Sequence, residues 1–274
     1  MSANPERHIT TSGRVGEESR KAAWEQLWIQ RKRIHIYRNV VEEAQRCLPD
    51  LRGARVLEVG CGRGATLLDL ASRGAQVVGL DYAQSSIATC ETLRAEAGLD
   101  GAADFLLGDA RALPFDSESF DLVYSIGLLE HFEQPGILLT EQHRVLKPSG
   151  FLLLQVPQKF SLYTMVKIPL TKLGRWPYGG WETQYTAGEL QALVRHAGFE
   201  PGPVFGYGSF SLAVLRHFFF PNLDYDAGGR LWKLFPALRG LRAHCALDVG
   251  VVARRGFVNG ATNTTGPPMD YKIA

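Results

Sequence analysis

Three glycines that follow an apolar run are the residues of this chain best suited to hold a cofactor. The apolar run Val56–Val59 stops at Gly60, Gly62 and Gly64, and the helical pattern Ala65–Ala71 follows at once. A buried strand, a turn that glycine makes without strain and a helix start let the backbone approach a ligand closely. The first chemistry that the sequence indicates is therefore the binding of a nucleotide-like cofactor.

The spacing of these glycines leaves two cofactor classes open. A dinucleotide fingerprint has the form G-x-G-x-x-G. Here the form is G-x-G-x-G, one residue shorter, and Glu58 stands two residues before the first glycine. A glycine-rich loop alone is also compatible with an ordinary tight turn, so residues further along the chain must decide.

Two more acids stand at the ends of the next two predicted strands. Asp81 follows Leu80, and Asp109 follows the run Phe105–Leu107. In a parallel sheet the ligand crevice lies outside the carboxyl ends of the strands, so Glu58, Asp81 and Asp109 are expected to converge on one molecule. A carboxylate at Asp81 can accept hydrogen bonds from both hydroxyls of a ribose, which suits a nicotinamide cofactor and a sulfonium nucleotide equally.

Strand and helix patterns must alternate to position these residues. The predicted strands are Arg55–Val59, Gln76–Leu80, Ala103–Leu107, Phe120–Ser125, Phe151–Val156, Val204–Tyr207 and Ala246–Arg254. The predicted helices are a single amphipathic helix over Glu17–Leu48, then Ala65–Ser72, Ser85–Ala97, Gln134–Val145 and a helix that a capping box opens at Thr186 and that runs to His196. This alternation predicts an α/β fold with a mostly parallel sheet that is covered on both faces.

Several segments together resemble the class I S-adenosylmethionine-dependent methyltransferases. Glu58–Gly64 resembles the first motif of that family, Phe120–Phe132 its fourth motif, and Arg144–Gly150 the turn before its fifth strand. The resemblance covers residues 54–156. It implies a Rossmann-like, doubly wound sheet of seven strands, mostly parallel with an antiparallel last strand, and helical lid insertions.

The resemblance also implies S-adenosyl-L-methionine as the cofactor, with the three acids at its methionine, ribose and adenine parts. The residues that we predict to bind it are Glu58, Gly60, Cys61, Gly62, Gly64, Asp81, Tyr82, Asp109, Ala110, Ser125 and Ile126.

His131 is the candidate catalytic residue. Methyl transfer from a sulfonium is an in-line displacement, for which the protein mainly positions the acceptor and excludes water. A hydroxyl acceptor often also needs a base to remove its proton. His131 lies just past the fourth predicted strand, and histidine titrates near neutrality, although this residue could equally brace a helix. Glu130 is expected to hydrogen-bond in the pocket wall.

Two aromatic and basic insertions, residues 157–185 and 209–243, interrupt the alternating pattern. The first follows the fifth strand, where a lid can cover the crevice. Tyr163, Trp181 and Tyr185 are predicted to contact the acceptor, which is expected to be an apolar, lipid-linked or glycosylated natural product. The alternative is that these aromatics only pack the insertions onto the core. Trp24 or Trp28 is expected to add a flap over the cofactor.

Composition excludes several other classes. The chain has 274 residues and a net charge of +2, so no strong field for nucleic acid is expected. Its four cysteines form no C-x-x-C pair, so we expect no metal site, no disulfide framework and a cytoplasmic protein. No membrane span is expected, although the basic stretch Arg230–Phe235 leaves contact with a membrane surface open. One methyltransferase domain over residues 17–257 is predicted, between a disordered segment at 1–16 and a loose tail at 258–274.

The sequence thus predicts an enzyme that transfers a methyl group to a small-molecule acceptor, with oxygen the favoured atom. One alternative is a catalytically silent protein that binds S-adenosylmethionine for regulation. Another is a nicotinamide-dependent oxidoreductase.

Overall fold

The computed structural model describes residues 17–30, 34–161, 164–165, 167–169, 173, 182–208 and 246–256. The predicted segments 1–16, 209–243 and 258–274 lie outside these ranges. Among the residues that are described, no helix is long and apolar enough to cross a membrane.

The described chain forms six α-helices and seven β-strands that largely alternate. The helices are α1 (Glu17–Gln30), α2 (Arg38–Cys47), α3 (Ala65–Ser72), α4 (Gln84–Ala97), α5 (Pro135–Val145) and α6 (Ala187–His196). The strands are β1 (Arg55–Val59), β2 (Gln76–Asp81), β3 (Ala103–Leu107), β4 (Phe120–Ile126), β5 (Leu146–Pro157), β6 (Phe199–Tyr207) and β7 (Asp248–Arg255).

All seven strands belong to one sheet in the order β3-β2-β1-β4-β5-β7-β6. The pairs among β1 to β5 are parallel, while β7 runs antiparallel to both β5 and β6. The predicted mostly parallel sheet with an antiparallel last strand is confirmed. The strand order reverses between β1 and β4, and a ligand crevice is expected beyond the carboxyl ends of the strands at that point.

The sheet is buried on both faces, which explains why its central strands are almost wholly apolar. Successive residues of β1 point to opposite faces, so Val56 packs in the layer with α2, α3 and α4 while Leu57 packs in the layer with α5 and α6. Both side chains are completely buried. The two layers hold β1 rigidly in the centre of the molecule, and the loop that follows β1 starts from a fixed point.

The single helix predicted over Glu17–Leu48 is wrong, because the chain forms α1 and α2 with a non-helical segment at Ile34–Tyr37 between them. The apolar periodicity continues through the break, but tertiary contacts take over there. The backbone N–H of Tyr37 donates to the Thr66 hydroxyl (3.0 Å), and the rings of His35 and Tyr37 pack on Tyr207.

Two strands begin earlier than predicted, at Leu146 and Phe199. The pairing of β5 with β4 jumps from Leu146 to Phe151, so the predicted turn Lys147–Gly150 forms an irregularity within β5. Ser149 has a φ of +64° there. The capping box at Thr186 is confirmed: its hydroxyl accepts from the backbone N–H of Glu189, whose carboxylate accepts from the Thr186 N–H.

The close packing of β2 under the glycine loop gives a testable prediction. A Cβ on Gly79 would lie 2.6 Å from the Phe105 ring and 3.0 Å from the Cys61 sulfur. Gly79→Ala is therefore expected to lower the free energy of unfolding by ~1–3 kcal/mol, as overpacked cores do. The matched control is Gly136→Ala in α5, where nothing lies within 4 Å and a gain of ~0.4–1 kcal/mol is expected. Urea unfolding measures both, and equal effects would contradict the packing argument.

Candidate functional site

The loop after β1 makes a sharp turn that is hydrogen-bonded to the end of β2. The backbone N–H groups of Gly60 and Cys61 both donate to the carbonyl of Leu80 (2.7 and 3.0 Å). Gly60, Gly62 and Gly64 all have positive φ, the backbone region in which a side chain is strained. The predicted glycine turn therefore has the conformation that its residue types require, and α3 begins directly after it.

Asp81 at the end of β2 fixes this loop from the side. Its Oδ2 accepts from the backbone N–H of Gly62 and its Oδ1 from that of Ala83, both at 2.9 Å. Asp81 is buried, and burial raises the pKa of its carboxyl, while the N–H donors of Ala83, Gly62 and Tyr82 oppose the rise. A carboxylate has about four acceptor positions, and three backbone N–H groups donate to Asp81, so one position is left for a ribose hydroxyl; its contact with a ribose stays a prediction.

Glu58 is buried in β1, and its partner is a residue that the sequence did not indicate. The hydroxyl of Tyr124 in β4 donates to its Oε2 at 2.8 Å. Burial raises the pKa of Glu58 to about 8, the Tyr124 hydrogen bond lowers it, and the charge of Asp81 raises it further. This rise in pKa favours the protonated carboxyl, and the contact of Glu58 with the methionine end of a cofactor stays a prediction.

Asp109 lies beyond β3 and is paired with Arg111, two residues further along the chain. The Arg111 guanidinium donates to both of its carboxylate oxygens, at 2.6 to 3.0 Å, and lowers the pKa of Asp109. Ala110 is buried in the core, so its backbone is what it can offer to a ligand. The backbone N–H of Gly108 donates to the Asp81 carbonyl (2.9 Å), which brings this segment to the same edge of the sheet as the glycine loop.

The exit of β4 leads to the candidate base. Ser125 is buried and Ile126 half-buried, and the chain turns at Gly127 into the short 3-10 helix Leu129–His131. The His131 side chain is 26% exposed, and its Nε2 lies 3.9 Å from Oε1 of Glu130. Unlike Glu130, which is buried, His131 is accessible to a substrate.

Helix α1 lies across this edge of the sheet. The Trp28 ring packs so closely on the glycine loop that a Cβ on Gly62 would lie 2.5 Å from it. The Trp24 ring contacts the Trp28 ring (centroids 6.3 Å apart) and the His131 ring (4.9 Å). One face of α1 thus covers both the glycine loop and His131, as expected for a flap.

Glu25 fixes α1 to the sheet domain. Its carboxylate accepts from the backbone N–H groups of Gln84 and Ser85 (2.5 and 3.1 Å) at the start of α4. A carboxylate is favoured at a helix N-terminus because free N–H groups point at it. This contact was not predicted, since nothing in the sequence of α1 indicates which helix it meets.

The predicted acceptor contacts are only partly within the described chain. Tyr163 and Trp181 lie outside the described residues. Tyr185 is 9% exposed and packs in the core, and it forms a parallel bridge with Gln158 at the end of β5. The Tyr185 ring is therefore part of the hydrophobic core, and its contact with an acceptor stays a prediction.

Sequence analysis did not single out four polar side chains near this edge of the sheet, of which Tyr124 and Gln155 are buried and Asn39 and Asp248 half-buried. Gln155 and Asp248 could have been noted as polar residues at the ends of apolar strands. Their pairing could not, because it joins β5 to β7, which lie far apart in sequence.

The edge of the sheet fits an adenosine-type cofactor by the chemistry of its donor set. Asp81 has an acceptor position left for a ribose hydroxyl, the three glycines adopt the positive φ that the sharp turn requires, and Asp109 is predicted to accept from an exocyclic amine. Within the described ranges, no group of three or more His, Cys, Asp or Glu residues is placed to hold a metal ion.

Comparison with known proteins shows the family of this chain. A model of the methyltransferase domain family matches residues 57–154. The chain is 32% identical over 174 residues to the ubiquinone biosynthesis O-methyltransferase of Ruegeria pomeroyi, covering 61% of this chain and 69% of that protein. It is 36% identical over 171 residues to the fatty-acid O-methyltransferase of Mycolicibacterium smegmatis, covering 62% and 54%. The matched part of this chain covers between about half and about two thirds of the length of these curated relatives.

The fold is shared with solved structures. The magnesium protoporphyrin IX methyltransferase of Synechocystis PCC 6803, solved with bound S-adenosylhomocysteine, superposes with a TM-score of 0.56. The superposition covers 91% of this chain and 92% of that one at 18% identity. At that identity the likeness shows the fold alone.

Asp81 gives the first prediction for the site. Asp81→Asn keeps an acceptor for the Gly62 N–H but removes the charge, so we expect binding of S-adenosylhomocysteine to weaken by ~1–3 kcal/mol, the range for hydrogen bonds to a charged group. Calorimetry measures the affinity. Asp104→Asn, an exposed acid on β3, is the control and should bind normally. An unchanged affinity in Asp81→Asn would rule out its ribose role.

Glu58 gives a second prediction, on pH. Its pKa rises from 4.5 to about 8 on folding, so its contribution to stability is complete below pH 4.5 and is lost as the pH rises to 8. Glu58→Gln removes this titration while an oxygen remains for Tyr124. Between pH 5 and 8 the wild type should lose roughly 2–4 kcal/mol more unfolding free energy than the variant. Urea unfolding checks this, with the exposed Glu96→Gln as control, and parallel pH curves for wild type and Glu58→Gln would refute it.

Proposed function

The chain belongs to the class I S-adenosylmethionine-dependent methyltransferases, and on that premise we propose that it methylates an oxygen atom of a small-molecule acceptor. Bound S-adenosylmethionine supplies a methyl group on a sulfonium that is already an excellent leaving group. The task of the protein is therefore to position the acceptor and to exclude water. Relatives named O-methyltransferases support oxygen as the methylated atom.

The observation that carries the proposal is that one helix, α1, lies over both the glycine loop and His131. Trp28 packs on Gly62, and Trp24 packs on His131. The two tryptophans stand about one helical turn apart on α1. An acceptor beside His131 therefore lies close to the cofactor loop and under the same helix. This arrangement supports exclusion of water from the path between the two.

His131 is the residue that we propose to remove the acceptor proton. It is accessible, it follows β4 beside the crevice, and the buried Glu130 lies 3.9 Å from its Nε2. The Trp24 ring meets the His131 ring edge to face, and this contact restricts the orientations of the imidazole. A base held in this way takes the hydroxyl proton as the oxygen forms its bond to the methyl carbon.

The acceptor itself is proposed at the level of chemical class. The relatives that match act, by their names, in ubiquinone biosynthesis and on fatty acids. Ubiquinone and fatty acids both carry long apolar parts. We propose an acceptor with an apolar body, in agreement with the aromatic residues of the segment after β5.

A substitution at His131 tests the function. His131→Gln should lower kcat by roughly 10²- to 10⁴-fold, the usual contribution of a general base, and leave the affinity for S-adenosylhomocysteine unchanged. Methyl transfer to a panel of hydroxylated acceptors and calorimetry are the two measurements. The exposed His196→Gln is the control.

Two results would contradict the proposal. Full turnover in His131→Gln would exclude the base. Tight cofactor binding by the wild type with no transfer to any acceptor would favour a silent cofactor-binding protein.

A further inference from the structure

The segment that follows β5 has its polar side chains on the inside. Ser161 and Thr164 are each 1% exposed. The Thr164 hydroxyl donates to the Gln158 carbonyl (2.8 Å), and the Ser161 hydroxyl donates to Oγ1 of Thr164 (2.9 Å). Lys167 is also largely buried, because its ammonium forms an ion pair with Glu182 and only 12% of its side chain is exposed. The protein itself thus provides the partners of these polar groups.

The large apolar side chains of the same segment are on the outside. Phe160 is 64% exposed, Met165 59%, Ile168 41% and Leu173 69%, and we call these four residues the apolar patch. The backbone N–H groups of Met165 and Leu173 donate to carbonyls four residues earlier, as in a helix, where residues three apart share a face. Met165 and Ile168 therefore share the outer side of a helical turn whose inner side is polar. This polarity is the reverse of what a helix on the surface of a soluble protein has.

Exposed apolar residues are concentrated at this edge of the sheet. Among the described residues, ten large apolar side chains are exposed, and seven of them lie within residues 29–36 or 160–173. The second of these segments follows β5, and the first packs through His35 on Tyr207 at the end of β6. Only β7 separates the ends of β5 and β6. Single exposed apolar residues are ordinary, but a concentration of them marks an interaction surface.

Positive charge stands at both ends of the apolar patch. Lys159 and Lys172 directly precede its first and last residues, so chain connectivity keeps their charges close to it. Residues 157–181 contain three Lys and one Arg and neither Asp nor Glu, a net charge of +4 in a chain whose total is +2. Lys159 forms an ion pair with Glu189 (2.6 Å), but both side chains are exposed and such pairs contribute little.

This combination of exposed apolar side chains and positive charge fits a lipid bilayer with anionic headgroups. Apolar side chains enter the boundary between headgroups and acyl chains, and basic residues beside them are attracted to anionic lipids. A second copy of the chain would bring like charges together, which disfavours association. Residues 209–245 contain five Lys or Arg and two Asp, so this segment does not complement the charge either.

We propose that the apolar patch is a docking surface for membranes that contain anionic lipids. The four apolar side chains enter the headgroup boundary, while Lys159 and Lys172 contact the anionic headgroups. Docking turns the carboxyl end of β5, where the segment begins, toward the bilayer. The proposal goes beyond the methyl transfer and does not depend on it, because docking needs neither the methyl donor nor an acceptor.

Flotation of the full chain with lipid vesicles tests the docking. The vesicles contain phosphatidylcholine alone or phosphatidylcholine mixed with phosphatidylglycerol. We expect the wild type to float with the mixed vesicles and to bind the phosphatidylcholine vesicles at least about tenfold more weakly, since each basic residue near an anionic surface strengthens binding. Added salt should weaken binding to the mixed vesicles, because it screens this attraction.

A double variant, Phe160→Ser with Leu173→Ser, removes the two most exposed side chains of the patch. We expect its partition onto the mixed vesicles to fall by about 10- to 100-fold, since the burial of one large apolar side chain changes affinity by about tenfold. Leu106→Ser is the matched control, because Leu106 is exposed on β3 at the opposite end of the sheet, and it should float like the wild type. Far-UV circular dichroism checks that both variants fold.

Three results would overturn the proposal. The first is a wild type that does not float with the mixed vesicles, and the second is a double variant that floats as well as the wild type. The third is a wild type that forms dimers in gel filtration and a double variant that does not, which would assign the patch to a second copy of the chain. The vesicles contain no acceptor, so none of these results bears on the proposed methyl transfer.

Discussion

The hydrogen bond from the Gly62 N–H to the Asp81 carboxylate holds together the part of the molecule that we propose to bind the cofactor. It joins the loop after β1 to the end of β2, and the two N–H groups that donate to Leu80 reinforce this join. The loop can then present its glycine face to Trp28. Because Asp81 also receives the Ala83 N–H, the same carboxylate sets the start of α4, to which Glu25 of α1 is bound. Asp81 therefore holds the glycine loop directly, and it also holds the start of α4, to which α1 is attached through Glu25.

Buried acids mark both halves of the sheet edge, and each half stabilises them differently. On the half that carries the glycine loop, Glu58 has the Tyr124 hydroxyl and Asp81 has backbone N–H donors. On the other half, Glu130 keeps an oxygen without a partner. A buried oxygen without a partner lowers stability and is uncommon in native structures.

The sequence predicts those parts of the fold that depend on local pattern. Apolar runs, glycines and the Thr186 capping box located the strands, the loop and α6, because each follows from residue type and spacing alone. The break between α1 and α2 escaped prediction, since Tyr37 gives its N–H to Thr66 in another helix. The Glu58–Tyr124 and Gln155–Asp248 pairs escaped for the same reason: they join strands whose register no local pattern encodes. The site residues at strand ends were predictable because topology alone brings strand ends together.

The segment after β5 leaves the sheet and returns to it at fixed points. Lys159 donates its N–H to the Tyr185 carbonyl, Tyr185 donates to Pro157, and Thr183 donates to the carbonyl of Glu130. These are main-chain bonds, which do not depend on which side chains lie between the two anchor points. Substitutions between the anchor points are therefore expected to leave these main-chain bonds in place. We predict that this segment contacts the acceptor, and exchange of the segment between related enzymes is then expected to change acceptor choice while the sheet stays intact.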